Sequence, residues 1–372
     1  MKIVIVGAGI AGLAIAWRFA AGGRSVEIVE RGISGRGATW ASAGMIAPGS
    51  ELGGETSAMA EFARQARVKW PTFAKTLEDE SGHAIDYRET GSLLVAETAA
   101  QAGVLQSQAA DLARRGIAAA WLMPDELRKR EPLLSPRLLG ALFVASDAQV
   151  DNRALSTALR AVLQNANVAF HEHCEVRSIV VQDGRAHAAI TDRGTIAAES
   201  IILACGAWLN RIGGLSPEDL PPIKPVKGQM AACVPPPGIA LPHSLIWADD
   251  VYLVTRGDRL FIGATVEDVS FDVSVSREAC DRLLHSAARL VPSLPSWQLA
   301  EMWAGLRPRA PDDAPVLGPT AVDGLYVAGG QFRNGILFAP AIADFMHDLV
   351  LGKSVDALFR VFDPRRFTRK AA

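Results

Sequence analysis

Gly7-Ala8-Gly9-Ile10-Ala11-Gly12 stands between the apolar run Ile3-Val4-Ile5-Val6 and a helical stretch from Leu13 to Ala21. Glycines at this spacing have a chemical use when a strand precedes them and a helix follows. Gly7 permits the tight turn, Gly9 lets backbone approach a pyrophosphate, and Gly12 lets the helix pack on the strand. The unpaired amides and the dipole of the helix start then favour phosphate. Ser25-Val26-Glu27-Ile28-Val29 reads as a second strand, with Glu30 at its end, 18 residues after Gly12. A carboxylate there accepts hydrogen bonds from ribose hydroxyls and repels a 2′-phosphate, so the expected ligand is a dinucleotide other than NADP. A second strand–glycine–helix unit runs through Gly324-Leu325-Tyr326-Val327-Ala328-Gly329-Gly330, then Gln331 to Leu337, then a helix to about Leu351. It aims backbone amides at an electron-rich group. Between the two units, Arg31 to Ser50 is dense in Gly, Ala, Ser and Thr, which lets backbone lie against a flat ring.

The elements that position these stretches follow from periodicity and turn chemistry. Ala58 to Glu80 reads as an amphipathic helix with Phe62, Ala66, Trp70, Phe73 and Leu77 on its core face. Helices are also expected over Thr98–Arg115, from Pro124, over Asp151–Asn165 with Asp151 or Asn152 as cap, and over Arg277–Leu290. Strands are expected over Tyr87–Val95, Leu142–Val144, Val168–Phe170, Val176–Gln182, Ala186–Thr191, Gly194–Ile196, Ser200–Trp208, Val226–Val234, Tyr252–Thr255 and Arg259–Gly263. Pro340 is tolerated in the first turn of a helix, which sets that helix's start near Leu337.

The 372 residues can bury a large core and suggest two domains. A net charge of −2 gives no field for nucleic acid or an anionic membrane. No apolar run is long and unbroken enough to span a bilayer. Cys174, Cys205, Cys233 and Cys280 are scattered, which points to reduced thiols in a cytoplasmic protein, without a metal site or disulfide. His171 and His173 alternate on a strand and are expected to face solvent. Lys2 and Ala20-Ala21-Gly22 also resemble the ends of a signal peptide, but cleavage there would discard the glycines, so retention is expected.

Taken together, these stretches resemble the D-amino-acid oxidase family of flavoproteins, most closely its glycine-oxidase branch. The matching pieces are Gly7–Gly12 with Glu30, Thr39–Ala47, Pro225–Gln229, Tyr252–Val254, Ile262–Thr265, Trp303-Ala304-Gly305-Leu306-Arg307-Pro308 and Phe332-Arg333-Asn334-Gly335-Ile336-Leu337. The implied fold is α/β with α+β. A Rossmann-type FAD-binding domain (residues 1–82, 144–215 and 306–365) is interrupted twice by an antiparallel-sheet substrate domain (residues 83–143 and 216–305). By the resemblance, Ile10, Ala11, Glu30 and Arg31 lie along the pyrophosphate and adenosine of a non-covalent FAD. Ala38, Thr39, Ala43, Gly44 and Met45 lie along the flavin edge, and Val176 meets adenine through its backbone. Gln331, Phe332, Arg333, Asn334, Gly335, Ile336 and Leu337 cover the flavin pyrimidine. Arg307 resembles the arginine that holds the substrate carboxylate, Tyr252 its hydroxyl partner, and Arg333 a second arginine near the substrate.

That chemistry suits these residue types. An amino acid with a neutral amine can lose its α-hydrogen as hydride to flavin without a strong protein base. The protein then orients the carboxylate, for which a guanidinium fork and a phenol serve. The implied activity is oxidation of glycine or a small secondary or D-amino acid, with O2 giving hydrogen peroxide. The implied partners are that small substrate, a homo-oligomer as in family tetramers, and hand-off to a thiazole synthase. Val266 stands where glycine oxidases carry a methionine, and Trp247 and Asp250 also depart from the pattern, which bears on substrate size. Two other readings remain open at this stage: a dehydrogenase that passes electrons to a quinone, and a non-enzymatic flavin-binding protein.

Overall fold

The structure is a computed structural model that describes residues 1–51 and 57–367. Ile3 to Val6 are buried on both faces of their strand, as β-branched residues at the centre of a parallel sheet must be. That strand, Lys2–Val6, lies inside a six-stranded sheet. In order the strands are Val316–Pro319, Leu325–Gly329, Ser200–Leu203, Lys2–Val6, Ser25–Val29 and Ala169–His171. All neighbours are parallel except Val316–Pro319, an antiparallel edge. Helices Ile10–Ala21, Ser57–Ser81, Asn152–Asn165 and Gly335–Val350 share a core with one face, in which Leu13, Phe19, Phe62, Leu159 and Phe338 are fully buried. Each such side chain contributes about 1.5–3 kcal/mol of burial. A three-stranded sheet, residues 176–197, covers the other face.

A second sheet has eight strands: Gln298–Arg309, Lys224–Val234, Arg259–Gly263, Tyr252–Arg256, Leu245–Trp247, Ser92–Val95, Ala141–Val144 and Ala119–Leu122. One parallel pair, Leu245–Trp247 with Ser92–Val95, joins the two stretches of chain that build it. Helix Arg277–Leu290 buries Cys280, Leu283, Ala287 and Leu290 against one face. The two sheets meet where strand Gln298–Arg309 runs on past residue 306, which places Arg307 on the eight-stranded sheet, beside Val226.

Several expectations change. The strand expected over Ser200–Trp208 stops at Leu203, because Gly206 takes φ +56 and opens a 3-10 turn over Gly206–Arg211. The strand expected from Tyr87 begins at Ser92, after Gly91 at φ +69; Arg88 makes only an isolated bridge to Gln149. The last long helix starts at Gly335, not Leu337, so Pro340 sits in its second turn. The ring disturbs the carbonyls of the turn before it, and the Trp70 indole donates to the Leu337 carbonyl there at 2.9 Å. His171 does not simply face solvent, since its Nε2 lies 3.0 Å from Glu27 Oε2. Asp151, as expected, caps helix Asn152–Asn165 by accepting from the amides of Arg153 and Ala154, both at 2.9 Å. No helix of the described residues is long and apolar enough to cross a membrane.

Candidate active site

The glycine turn and the eight-stranded sheet face one cavity of 1970 Å³. Of the residues expected above to meet cofactor or substrate, all line it except Gly12 and Leu337. Those two are buried in the protein itself: Gly12 beneath the glycine turn, Leu337 in the helical core.

The three glycines do different jobs. Gly7 takes φ +102, and a Cβ on it would come within 2.5 Å of the Ala204 carbonyl oxygen. A Cβ on Gly12 would overlap the Gly7 carbonyl oxygen. Both are required by the fold. A Cβ on Gly9 would meet only the Thr39 hydroxyl, at an ordinary 3.5 Å. None of its protein neighbours demands glycine at position 9, which lines the open cavity. The Thr39 hydroxyl accepts from the Ile10 amide at 2.8 Å, so that amide is already taken. Glu30 is also engaged, accepting from the amides of Ala8 and Gly32, each at 2.8 Å, while its carboxylate lines the cavity. Arg31 stacks on Trp208, 3.7 Å from its ring centroid, and Trp208 packs on Phe271 at 5.7 Å. Val176 and His173 line the same end.

At the other end, Tyr252 and Arg307 occupy room left by two more glycines. A Cβ on Gly263 would overlap the Tyr252 ring, and one on Gly228 would overlap the Arg307 guanidinium. Arg307 donates to the Thr265 carbonyl at 3.1 Å, and the Tyr252 hydroxyl donates to Met230 Sδ at 3.6 Å. Burial pushes the Arg307 pKa down, opposed first by Tyr252 and more weakly by the negative charge of Glu51. Burial likewise pushes the Tyr252 phenol up, while the positive charge of Arg307, then that of Arg333, pulls it back. A desolvated guanidinium with a phenol beside it is a receptor for a carboxylate. Arg333 is exposed and lies over Phe332, 5.3 Å from its centroid. Phe332 takes φ 46, a strained conformation for a bulky residue, with its amide donating to the Pro308 carbonyl at 2.9 Å. Nearby, Gln331 Nε2 and Asn334 Oδ1 are buried without partners among the described residues. The free polar atoms, the glycine cradles and the paired strand–glycine–helix units fit FAD.

Sequence reasoning missed the cradles at Gly228 and Gly263, and missed Arg256 and Gln149 behind the loop at residues 38–46. Arg256 had a signal: on strand Tyr252–Arg256 it shares a face with Tyr252, two alternations away. Trp247, a departure from the family pattern, packs 5.4 Å from Tyr252 at the cavity wall. Asp250 also lines the cavity, but an ion pair with Arg289 at 2.7 Å holds its carboxyl below the usual range.

Residues 2–349 match the model of the FAD dependent oxidoreductase family, DAO. The chain is 35% identical to a glycine oxidase of Geobacillus kaustophilus over 355 residues, covering 94% of this chain and 92% of that one. A crystal structure of glycine oxidase from Geobacillus kaustophilus superposes with a TM-score of 0.91 at 34% identity, covering 98% of this chain and 99% of the other. An iminodiacetate oxidase from Chelativorans sp. BNC1 superposes with a TM-score of 0.89 at 25% identity, covering 97% and 98%. The bifunctional protein ThiO/ThiG of Synechocystis is 33% identical over 371 residues, 98% of this chain. The chain spans about half the length of that relative, 54%.

Proposed function

Because this chain belongs to the DAO family of FAD-dependent oxidoreductases, we propose that it oxidises glycine or a small secondary or D-amino acid at the CH–N bond. Arg307 and Tyr252 in their glycine-cleared corner carry this reading. The guanidinium makes two charge-assisted hydrogen bonds to the substrate carboxylate and the Tyr252 hydroxyl adds a third. This fixes the α-carbon and leaves the amine free to enter neutral. FAD, when bound, accepts the hydride and passes two electrons to O2. For a primary amino acid the balance is amino acid plus O2 plus water giving 2-oxoacid, ammonia and hydrogen peroxide; a secondary one gives a primary amine or a cyclic imine in place of ammonia.

The residues assigned to the cofactor divide along the cavity. Gly9, Ala11, Glu30 and Arg31 serve the pyrophosphate and adenosine, and Ala43, Gly44 and Met45 the flavin edge. Gln331 to Ile336 cover the pyrimidine, with the helix start at Gly335 favouring negative charge there. Val266, half exposed at the cavity mouth, leaves room for substrates larger than glycine. The ThiO/ThiG relatives join a similar chain to a second protein, which supports hand-off of the product to a thiazole synthase.

The test is product stoichiometry under air. One peroxide per amino acid consumed is expected, with one ammonia when the substrate is a primary amino acid. Turnover that needs an added quinone or dye, with no peroxide, would replace the oxidase by a dehydrogenase.

A further inference from the structure

The loop at residues 39–44 has its carbonyls tied from behind. Asn152 Nδ2 donates to the carbonyls of Thr39 and Trp40, at 2.8 and 3.0 Å. Trp303 Nε1 donates to Ala41 at 2.9 Å, and the Val150 amide to Gly44 at 2.9 Å. Arg256 donates to the Ala43 carbonyl at 2.5 Å. In a planar trans peptide the N–H points opposite to the carbonyl, so the Gly44 N–H is turned away from Arg256, toward the cavity that Ala43, Gly44 and Met45 line.

Arg256 is itself unusual. It is 4% exposed, and its charge is buried with no carboxylate in ion-pair distance among the described residues. Its other contacts are neutral: Gln149 Oε1 at 2.6 Å and the Thr255 carbonyl at 3.0 Å. Two carboxylates act on it from beyond ion-pair distance: Asp151, which caps its helix, and Asp86, which pairs with Arg88 at 3.1 Å. Keeping an unpaired guanidinium dry is costly, and burial depresses its pKa to about 10. A Cβ on Gly44 would overlap the Val150 carbonyl oxygen and come within 2.7 Å of Arg256 Nη2, so glycine at 44 lets both the backbone of residue 150 and the guanidinium sit close behind the loop.

We propose that Arg256 is a positioning residue of the oxidation site: it aims the Gly44 amide at the flavin edge, and its charge, held without an ion-pair partner among the described residues, stabilises the negative charge that two-electron reduction places on the ring. The proposal rests on FAD occupying this cavity, and not on which amino acid is the substrate.

The test is the midpoint potential of bound FAD, set by dye-coupled chemical reduction without amino acid, together with FAD affinity from titration of the apoprotein. Arg256→Gln removes the charge. Gln149→Glu keeps the fork but neutralises it with a carboxylate 2.6 Å away. Both should shift the reduction equilibrium at least tenfold toward oxidised flavin, about 30 mV for a two-electron couple. Arg256→Lys keeps the charge and loses the fork, so its potential should stay within threefold of wild type while FAD binds at least tenfold more weakly. Should Arg256→Gln lose its FAD, Gln149→Glu decides. A wild-type potential in Gln149→Glu, or a shift in Arg256→Lys as large as in Gln149→Glu, would overturn the proposal. Because no amino acid is added, these results stand even if the substrate assignment fails.

Discussion

Replacing Gly9 and Gly12 separates a glycine the ligand needs from one the fold needs. Gly9 has extended backbone, φ −75 and ψ −178, which any residue adopts, and a Cβ there makes only the 3.5 Å contact with Thr39. The protein-side cost of Gly9→Val is the loss of glycine at an N-cap position, about 1 kcal/mol. The valine methyls, however, fill the space in front of the helix start. Forcing two methyls into an occupied site costs about 1–3 kcal/mol, which weakens FAD about 5- to 150-fold at 1.4 kcal/mol per decade. Gly12→Ala behaves in the opposite way. Its Cβ overlaps the Gly7 carbonyl oxygen, so the helix must lift off the strand. The about 1–3 kcal/mol then falls on folding, and lowers Tm by about 2–4 °C per kcal/mol. The assay is paired: thermal melts of the apoproteins, and FAD titration followed by flavin fluorescence. Tight FAD binding by Gly9→Val would refute the placement of the pyrophosphate at residue 9. An unchanged Tm in Gly12→Ala would refute the packing argument.

Arg307→Met leaves the substrate carboxylate unpaired in a partly dry corner, which costs about 2–5 kcal/mol; kcat/KM should fall about 30- to 3,000-fold with FAD content near normal, and lysine should rescue only in part. Tyr252→Phe removes one neutral hydroxyl and should cost less, about 1.5 kcal/mol, measured by the same initial rates. Val266→Met narrows the mouth; the ratio of kcat/KM for D-proline to that for glycine should fall, and an unchanged ratio would remove Val266 from the site. Asp147 is fully buried, and burial pushes its carboxyl pKa up although Gly49 donates to it at 3.0 Å and Ser50 at 2.5 Å. A folded pKa above the unfolded value of about 3.9 means stability is greatest below that pH and declines as pH rises through the folded pKa. Asp147→Asn should flatten that decline in Tm-versus-pH melts, and an identical slope would contradict the assignment.

What was legible in the sequence was local. The strand–glycine–helix units, Glu30 and the Asp151 cap sit within stretches whose period and turn residues suffice to place them. Arg307 and Tyr252 were legible through family resemblance, but their support was not. Gly263 clears space for Tyr252 directly opposite it in one hairpin, whereas Gly228 clears space for Arg307 only because strands far apart in sequence pair in register, Gly228 opposite Gly305. Arg256 reads in one dimension as the polar end of a strand; its role depends on Ala43 being brought beneath it, 213 positions away in the chain. The helix starts at Gly335, ahead of the start near Leu337 that the proline rule sets, because the turn at Gln331 leads straight into it: the Asn334 amide donates to the Gln331 carbonyl at 2.8 Å and the Phe338 amide to the Asn334 carbonyl at 2.9 Å. One strand, Gln298–Arg309, runs across the boundary expected at residue 306, and its extent depends on pairing with Lys224–Val234, which no local signal carries.

The central claim is that a carboxylate-anchored amine gives its hydride to FAD in this cavity. Anaerobic mixing of the FAD-loaded protein with glycine, sarcosine, D-alanine and D-proline tests it directly. The account predicts saturable bleaching of the oxidised flavin spectrum by at least one of them, faster as the amine loses its proton with rising pH. A flavin that stays oxidised with every member of that set, while dithionite still reduces it, would contradict the account.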